Sequence, residues 1–298
     1  MTSRSLPDPR RHAYRADLAG EELRGVVDAP RHVRGVPRQV SAPSLPLRRE
    51  PRFDATLDTE ALCGEIVGLY DESEGWAWVQ LARDGYVGYM PSEGLVRDIA
   101  TPSHRIAVLR TYVYPEPDGK TPPLALLSLN AQVTVAEAHG KFLELAGGGG
   151  YLFAGHTAPV GAAEPDFVSV AEGFLGTPYL WGGRTSVGVD CSGLVQLALE
   201  AAGYQAPRDA DMQEAELGRL LRKGDKLRRG DLVFWEGHVG IMTSGRDLLH
   251  ANAFHMAVER EPFAQAKWRI REVGFEVTSM RRLPRRAARP RPARGQMT

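Results

Sequence analysis

Apolar and polar residues alternate with a period of two between about Val36 and Val96. The alternating segments are GEIVGLYDE (64–72), GWAWVQLAR (75–83) and GYVGYMPSEGLV (85–96), with turn residues between them. Short runs of this kind are typical of half-buried β-strands. The pattern predicts a small all-β barrel over 36–100.

A weaker copy of the same pattern follows. Residues 66–81 align with 133–145, and 85–95 align with 149–160, so that a strand, a glycine turn and aromatic strands recur in the same order. Two copies are too few for a solenoid and indicate a tandem duplication. We therefore expect a second barrel over 101–163. The arrangement resembles tandem bacterial SH3-like domains.

The pattern changes after Pro165. Apolar residues at helical spacing, each run closed by a glycine, predict helices over 167–176 and 192–203. Short strands joined by turns follow at 231–235, 238–243 and 247–252. Helices followed by an antiparallel sheet predict an α+β domain over 164–284.

The two ends of the chain are rich in arginine and proline. Residues 1–35 are predicted to form an arm over a domain surface, with one short helix from Ala16 to Val27 and little core. Residues 285–298 form a basic tail in which prolines exclude a helix. A solvated, disordered extension is favoured there over a nucleic-acid contact.

Charge and cysteine content narrow the class of protein. The 298 residues carry 37 basic and 37 acidic side chains, so no overall field favours nucleic acid or a membrane surface. No apolar run approaches the length of a membrane span, and the start of the chain lacks the apolar stretch of a secretory signal. The two distant cysteines fit a reducing compartment, so the expected location is cytoplasmic, and neither has the spacing of a metal site.

The sharpest chemical signal lies around Cys191. Asp190 is a preferred N-cap residue, so Cys191 falls in the first turn of the helix predicted there. Unpaired backbone N–H groups and the helix dipole stabilise a thiolate, which predicts a thiol pKa below about 8.5. The same N–H groups can receive an oxyanion from an attacked carbonyl.

Two histidines can complete a nucleophilic site. His238 and His250 lie on successive predicted strands, and a hairpin centred near Ser244 brings them within one diagonal step. One imidazole can take the thiol proton, and the other can hold its tautomer, as the acid does in a serine triad. The other cysteine, Cys63, has no activating neighbour in the sequence and is interpreted as a structural thiol.

A set of motifs resembles the NlpC family of cell-wall cysteine peptidases, in the papain-like clan. The motifs are TPYLWGG (177–183), DCSGLVQ (190–196), PRDADMQ (207–213), RRGDLVFW (228–235), GHVGIM (237–242) and LLHAN (248–252), and they cover about residues 165–284. The resemblance implies Cys191 as nucleophile, His238 as base and His250 as the orienting residue, with no cofactor. It also implies that Tyr179 lies beside the active site and that four residues line the substrate groove: Asp190, Ser192, Arg208 and Asp209. Many relatives have serine where this chain has Ala210, which removes one expected hydrogen bond.

The substrate that the resemblance implies is a peptidoglycan stem peptide, cut between γ-D-glutamate and a diamino acid. Arg208 suits a carboxylate in fork geometry. Relatives with barrel domains that use free stem peptides take an acid and a tyrosine from the first barrel to bind the free amine, and the matching positions are Glu65 and Tyr86. A solvated strand position for Glu65 and a barrel-filling role for Tyr86 are the competing interpretations. With Glu65 and Tyr86 binding the free amine, the resemblance implies a dipeptidyl peptidase that recycles stem peptides.

Two other functions compete with this one. An exported hydrolase acting on the intact wall needs a secretion route that the N-terminus does not show. A noncatalytic peptide-binding scaffold needs an idle thiol, and the presence of Cys191 with both histidines argues against it.

Overall fold

The structure is a computed structural model that describes residues 6–284. The N-terminal arm forms a three-stranded sheet, in which the second and third strands are parallel. Its strands are β1 (Tyr14–Arg15), β2 (Leu18–Gly20) and β3 (Arg31–Val33).

Two expectations for this arm were wrong. The helix predicted from Ala16 to Val27 does not form, and Gly25 adopts a φ of 77°, a left-handed conformation that would end any helix. The arm also has a core, because Leu18 is fully buried and packs with Trp78 of the first barrel.

The first barrel follows as a seven-stranded sheet in the order β10-β4-β7-β8-β9-β5-β6. Alternating side chains such as Leu47, Val67 and Val79 are fully buried and form its core, which explains the period-two pattern. The strands are β4 (Val36–Val40), β5 (Ser44–Arg48), β6 (Leu57–Leu62), β7 (Ile66–Ser73), β8 (Trp76–Leu81), β9 (Val87–Pro91) and β10 (Leu95–Val96).

The next unit is also all-β. It has a three-stranded sheet, β14-β11-β18, and a five-stranded sheet, β13-β12-β17-β16-β15, around buried Ile106, Val113 and Leu152. The strands are β11 (His104–Ile106), β12 (Arg110–Tyr114), β13 (Ala125–Ser128), β14 (Gln132–Val133), β15 (Val135–His139), β16 (Phe142–Leu145), β17 (Tyr151–Phe153) and β18 (Thr157–Pro159).

The C-terminal unit combines helices with an antiparallel six-stranded sheet, β21-β26-β22-β23-β24-β25, as predicted for an α+β domain. Its helices are α1 (Phe167–Glu172), α2 (Cys191–Ala201), α3 (Ala210–Glu216) and α4 (Phe263–Glu272). Its strands are β19 (Arg184–Thr185), β20 (Gly188–Val189), β21 (Arg219–Leu220), β22 (Asp231–Trp235), β23 (His238–Met242), β24 (Asp247–Asn252), β25 (Ala257–Pro262) and β26 (Val277–Arg282).

Packing between the units positions the site. One apolar core runs from the second β unit into the C-terminal domain, and Met212 of α3 joins the core of the first barrel. The edge strand β6 lies against the segment that precedes α2, so closely that a Cβ at Gly182 would come within 2.3 Å of the Leu57 carbonyl oxygen. The first barrel is therefore in direct contact with the approach to Cys191.

Candidate active site

Helix α2 begins at Cys191, and Asp190 caps it. The Asp190 Oδ1 atom accepts a hydrogen bond of 2.7 Å from the Gly193 N–H, and its Oδ2 atom accepts one of 2.9 Å from the Gly182 N–H. The cap predicted from the sequence is present. It fixes the thiol at the positive end of a helix that is buried on almost every side.

The thiol lies against the start of strand β23. The Cys191 Sγ atom is 4.0 Å from the carbonyl oxygen of Gly237, and the N–H of Val239 also interacts with the sulfur. These two residues flank His238 in the chain. The nucleophile predicted from the sequence and the predicted base are therefore brought together by packing of α2 on β23.

The two predicted histidines are in direct contact. In the pairing of β23 with β24, Ile241 lies opposite Leu249, which puts His238 and His250 one diagonal step apart, as expected. The His238 Nε2 and His250 Nδ1 atoms are 2.8 Å apart. His238 Nε2 is therefore occupied by His250, and Nδ1 is the ring nitrogen left to take a proton from the thiol.

Two further residues extend this line of side chains, and the sequence did not indicate either. Glu261, on β25, has its Oε1 atom 2.8 Å from the His250 Nε2 atom. Arg269, on α4, donates to Oε1 at 2.5 Å and to Oε2 at 2.6 Å. No local motif surrounds these residues, and only the pairing of β24 with β25 brings the acid to His250.

Burial dominates the protonation of the nucleophile and the base. It raises the pKa of the Cys191 thiol to about 12, although the N–H groups of Val239 and Ser192 oppose the shift. Burial, with electrostatic interactions from the neighbouring His250 and from the charge of Arg269, lowers the pKa of His238 to about 3. The expected depression of the thiol pKa was wrong, because desolvation of the sulfur outweighs the helix dipole. The resting pair is a neutral thiol and a neutral imidazole.

Three residues expected to line the groove form a buried network instead. The Arg208 guanidinium, 1% exposed, donates to Asp190 at 2.7 and 2.9 Å and to the Ser192 hydroxyl at 2.8 Å. Its Nε atom donates to Thr59 of the first barrel at 2.7 Å. Pairing of Arg208 with a substrate carboxylate was therefore a wrong expectation, since these donors are used beneath the nucleophile.

Tyr179 lies beside the nucleophile and is half-buried. Burial, together with the negative charges of Asp190 and of a Cys191 thiolate, raises the pKa of its phenol. The hydroxyl stays protonated across the physiological range and can donate a hydrogen bond next to the thiol. Ala210, where many relatives have serine, is buried at the start of α3.

The carboxylate of Glu65 does not reach the nucleophile. It accepts from Arg184 Nη1 at 2.8 Å and lies 3.4 Å from Arg83 Nε. Arg184 also donates to Glu200, which is about two and a half helical turns beyond Cys191 on α2. The Oε1 atom of Glu65 is used at the contact between barrel and helix, and binding of the substrate amine by Glu65 stays a prediction.

The Tyr86 side chain lies near a different pair of acids, Asp209 and Asp58. Its hydroxyl donates to Asp209 Oδ2 at 3.0 Å, and burial, with the charges of Asp209 and Asp58, raises the pKa of the phenol. Arg10 of the arm donates to the same Asp209 oxygen at 2.9 Å, and Arg49 donates to Asp58 at 2.8 Å. Asp58, Tyr86 and Asp209 therefore form an acidic cluster that joins the first barrel to α3. The sequence did not indicate Asp58 or Arg10.

Two groups of side chains among residues 6–284 have donor atoms close enough to hold a metal ion. They are His250 with His255 and Glu261, and Glu137 with His139 and Glu144. In the first group, both Glu261 oxygens already accept from Arg269, which puts a positive charge where the ion would bind. The second group is on the surface of β15 and β16, and His139 there is bonded to Glu144. Within residues 6–284, no helix is both long enough and apolar enough to cross a bilayer.

Known proteins share both parts of this arrangement. Residues 47–95 match the bacterial dipeptidyl-peptidase Sh3 domain, and residues 176–277 match the NlpC/P60 family. A γ-D-glutamyl-L-lysine dipeptidyl-peptidase of Bacillus subtilis is 31% identical over 229 residues, which are 69% of this chain and 76% of that protein. Dipeptidyl-peptidase 6 of Lysinibacillus sphaericus is 29% identical over 229 residues, 69% of this chain and 84% of its own.

A solved structure shares the fold. An NlpC/P60 family protein of Bacillus cereus superimposes with a TM-score of 0.70 at 21% identity, over 83% of this chain and 100% of its own. The predicted papain-like α+β fold with an SH3-like barrel on its N-terminal side is confirmed. The matches also show an enzyme of the cysteine hydrolase type. The chain belongs to the NlpC/P60 family.

Proposed function

We propose that this protein is a cysteine peptidase that cleaves the γ-D-glutamyl bond to a diamino acid in free peptidoglycan stem peptides. The observation that carries the proposal is the position of the Cys191 thiol at the start of α2, against the residues that flank His238. The names of the two dipeptidyl-peptidase relatives support the choice of reaction.

The proposed reaction begins with a neutral pair. As Cys191 Sγ attacks the γ-glutamyl carbonyl carbon, its proton passes to His238 Nδ1, and the carbonyl oxygen becomes an oxyanion. We assign the oxyanion to the N–H groups of Cys191 and Ser192, because Asp190 already takes that of Gly193. His238 then protonates the departing amine, which leaves a thioester.

Water completes the cycle. His238, neutral again, takes a proton from a water molecule that attacks the thioester carbonyl, and the same proton returns to the sulfur as the acid product leaves. His250 holds the ring of His238 throughout, through the 2.8 Å contact between them. We assign Tyr179 to hydrogen bonding of the substrate beside the thiol.

We infer that the substrate amine binds in the acidic cluster of Asp58, Tyr86 and Asp209. Two carboxylates would attract an ammonium group. Burial raises the pKa of one of them, Asp209, so a positive charge beside it favours its ionised form. In an intact wall the L-Ala nitrogen is an amide joined to muramic acid, so it has no charge and more bulk. The contact of β6, the strand of Asp58, with the segment around Gly182 supports this choice, because it puts the first barrel against the approach to Cys191. Free peptides in a cytoplasmic recycling route are the substrates that fit best.

The direct test offers the protein four peptides. L-Ala-γ-D-Glu-meso-diaminopimelate and its L-Lys counterpart are used free and joined to muramic acid, with Cys191→Ala as the control. Release of L-Ala-γ-D-Glu from free peptides alone supports the proposal. Cleavage of both forms favours a hydrolase of the intact wall, and no cleavage above the control favours a binding protein.

A second test examines the amine site. Asp58→Asn removes one charge from the cluster, and Asp54→Asn, on an 82% exposed side chain of the same barrel, is the matched control. We expect KM for the free peptide to rise about tenfold in Asp58→Asn, since a hydrogen bond to a charged group contributes roughly 1.5 kcal/mol. An N-acetylated peptide should show no such change. Equal effects on both peptides would mean that Asp58 does not bind the amine.

A further inference from the structure

Glu261 occupies a buried position behind the two histidines. Its carboxylate is held between His250, which is 1% exposed, and the guanidinium of Arg269. His250 in turn contacts His238, so that four side chains from β23, β24, β25 and α4 form one hydrogen-bonded line. Nothing in the motifs of the sequence includes Glu261 or Arg269.

The chemistry of the groups fixes the direction of every hydrogen bond in this line. A carboxylate only accepts, so the proton between His250 and Glu261 belongs to His250 Nε2. Burial lowers the pKa of His250, which keeps its ring neutral and leaves a lone pair on Nδ1. That atom must accept from His238 Nε2–H. His238 is then left with its lone pair on Nδ1, the ring nitrogen that does not contact His250 and that the proposed reaction uses as the base.

We propose that Glu261 is a positioning residue that sets the tautomers of both His250 and His238 and so keeps the nitrogen facing Cys191 able to accept a proton. This inference rests on the proposed function, in which His238 Nδ1 is the base. Arg269 contributes by donating to both carboxylate oxygens, which keeps Glu261 ionised and fixed.

An amide at position 261 would reverse the whole line. Arg269 can only donate, so the amide oxygen of a glutamine would face Arg269 and its NH₂ group would face His250. His250 Nε2 would have to accept, which moves its proton to Nδ1. His238 Nε2 would then accept from His250, and the proton of His238 would sit on Nδ1. The base would face the thiol with a hydrogen in place of a lone pair.

The experiment reads the tautomers directly by ¹⁵N NMR of the full chain labelled in its histidines. The variants are Glu261→Gln, Glu261→Asp and the control Glu259→Gln, a carboxylate two residues away on β25 that accepts from the N–H of Arg260. In the wild type and in Glu259→Gln, both His238 and His250 should show protonated Nε2. In Glu261→Gln, both should show protonated Nδ1, and Glu261→Asp should restore the wild-type pattern.

Activity supplies the second measurement. We expect Glu261→Gln to lower kcat on the order of 10²- to 10⁴-fold with little change in KM, as for a wrong tautomer in a serine triad. Glu261→Asp should recover much of that loss. Unchanged signals of the five histidines remote from Glu261 verify the fold of each variant: His12, His32, His104, His139 and His156.

The two proposals can fail separately. Protonated Nδ1 on His250 in the wild type, or unchanged tautomers in a folded Glu261→Gln, would overturn the role of Glu261 whatever the activity. The expected tautomers in a wild type that cleaves no stem peptide would overturn the peptidase proposal and leave the assignment of protons supported.

Discussion

At the scale of single residues, the balance between burial and the helix dipole decides the state of the nucleophile. The N–H groups at the start of α2 stabilise a thiolate, but Cys191 is buried, at 7% exposed, and desolvation favours the neutral thiol. Burial likewise favours the neutral form of His238. The thiol therefore gives up its proton only as it attacks.

The pH dependence of Cys191 alkylation should reveal whether the thiol is neutral at rest. In a Cys63→Ser background, which removes the only other thiol, the rate of reaction with iodoacetamide should rise about tenfold per pH unit between pH 6 and pH 9. The reason is that the thiolate fraction grows in that proportion well below the pKa. Mass spectrometry of the modified protein measures the rate. A rate that is already maximal at pH 6 would show a stable thiolate and contradict the neutral pair.

The surroundings of the acids in the first barrel are not encoded in any short segment of the sequence. The family resemblance points to Glu65 as the acid that binds the amine, and nothing local in the sequence indicates that Arg184 and Arg83 surround it. Asp58 has no motif around it. Its place beside Tyr86 depends on the pairing of barrel strands and on the docking of α3.

At the scale of elements, the arm contacts the acidic cluster through Arg10. Arg10 precedes β1 and reaches Asp209 and Asp211 at the start of α3, 2.9 and 2.8 Å away. Burial raises the pKa of Asp209, and the charge of Arg10 opposes that shift. The arm therefore helps to keep one carboxylate of the acidic cluster ionised.

Removing this charge should weaken substrate binding at low pH. In Arg10→Gln, the pKa of Asp209 rises further, so its carboxylate is protonated at a higher pH than in the wild type. We expect KM for the free peptide to increase about two- to fivefold near pH 5.5, with a smaller change at pH 8, which is the range for a partly exposed ion pair. Arg11→Gln is the control, since Arg11 pairs with Glu216 instead. An equal increase in KM at both pH values would rule out this role for Arg10.

At the scale of the whole molecule, a buried ion cluster joins the first barrel to the C-terminal domain. Arg184 is fully buried and donates to Glu65, Glu200 and Gln196 at 2.8, 2.5 and 2.9 Å. The cluster has three acids and two bases: Glu65, Asp84, Glu200, Arg83 and Arg184. Its members come from both units, so it holds the barrel in register with α2.

Loss of Arg184 should destabilise the protein strongly. Arg184→Met leaves three largely buried acids with one base, and breaking a buried pair of this kind costs about 3–5 kcal/mol of unfolding free energy. Urea unfolding followed by tryptophan fluorescence measures the loss. Arg24→Met, which breaks an exposed pair with Glu21 in the arm, should leave the midpoint unchanged. A similar midpoint for Arg184→Met and the wild type would show that the cluster does not stabilise the interface.

The sequence by itself determined the parts whose signals are local. The periodicity of hydrophobic residues predicted the barrel strands and the order of helices and sheet. The N-cap residue predicted that Cys191 begins a helix, and the hairpin spacing predicted that His238 lies next to His250. Only the tertiary structure decided which acids meet which bases. Glu261, Asp58 and Arg10 reach their partners through strand pairing and docking between distant segments. Those contacts depend on how whole units pack, and electrostatic and desolvation energies depend on distances that no short segment of sequence encodes.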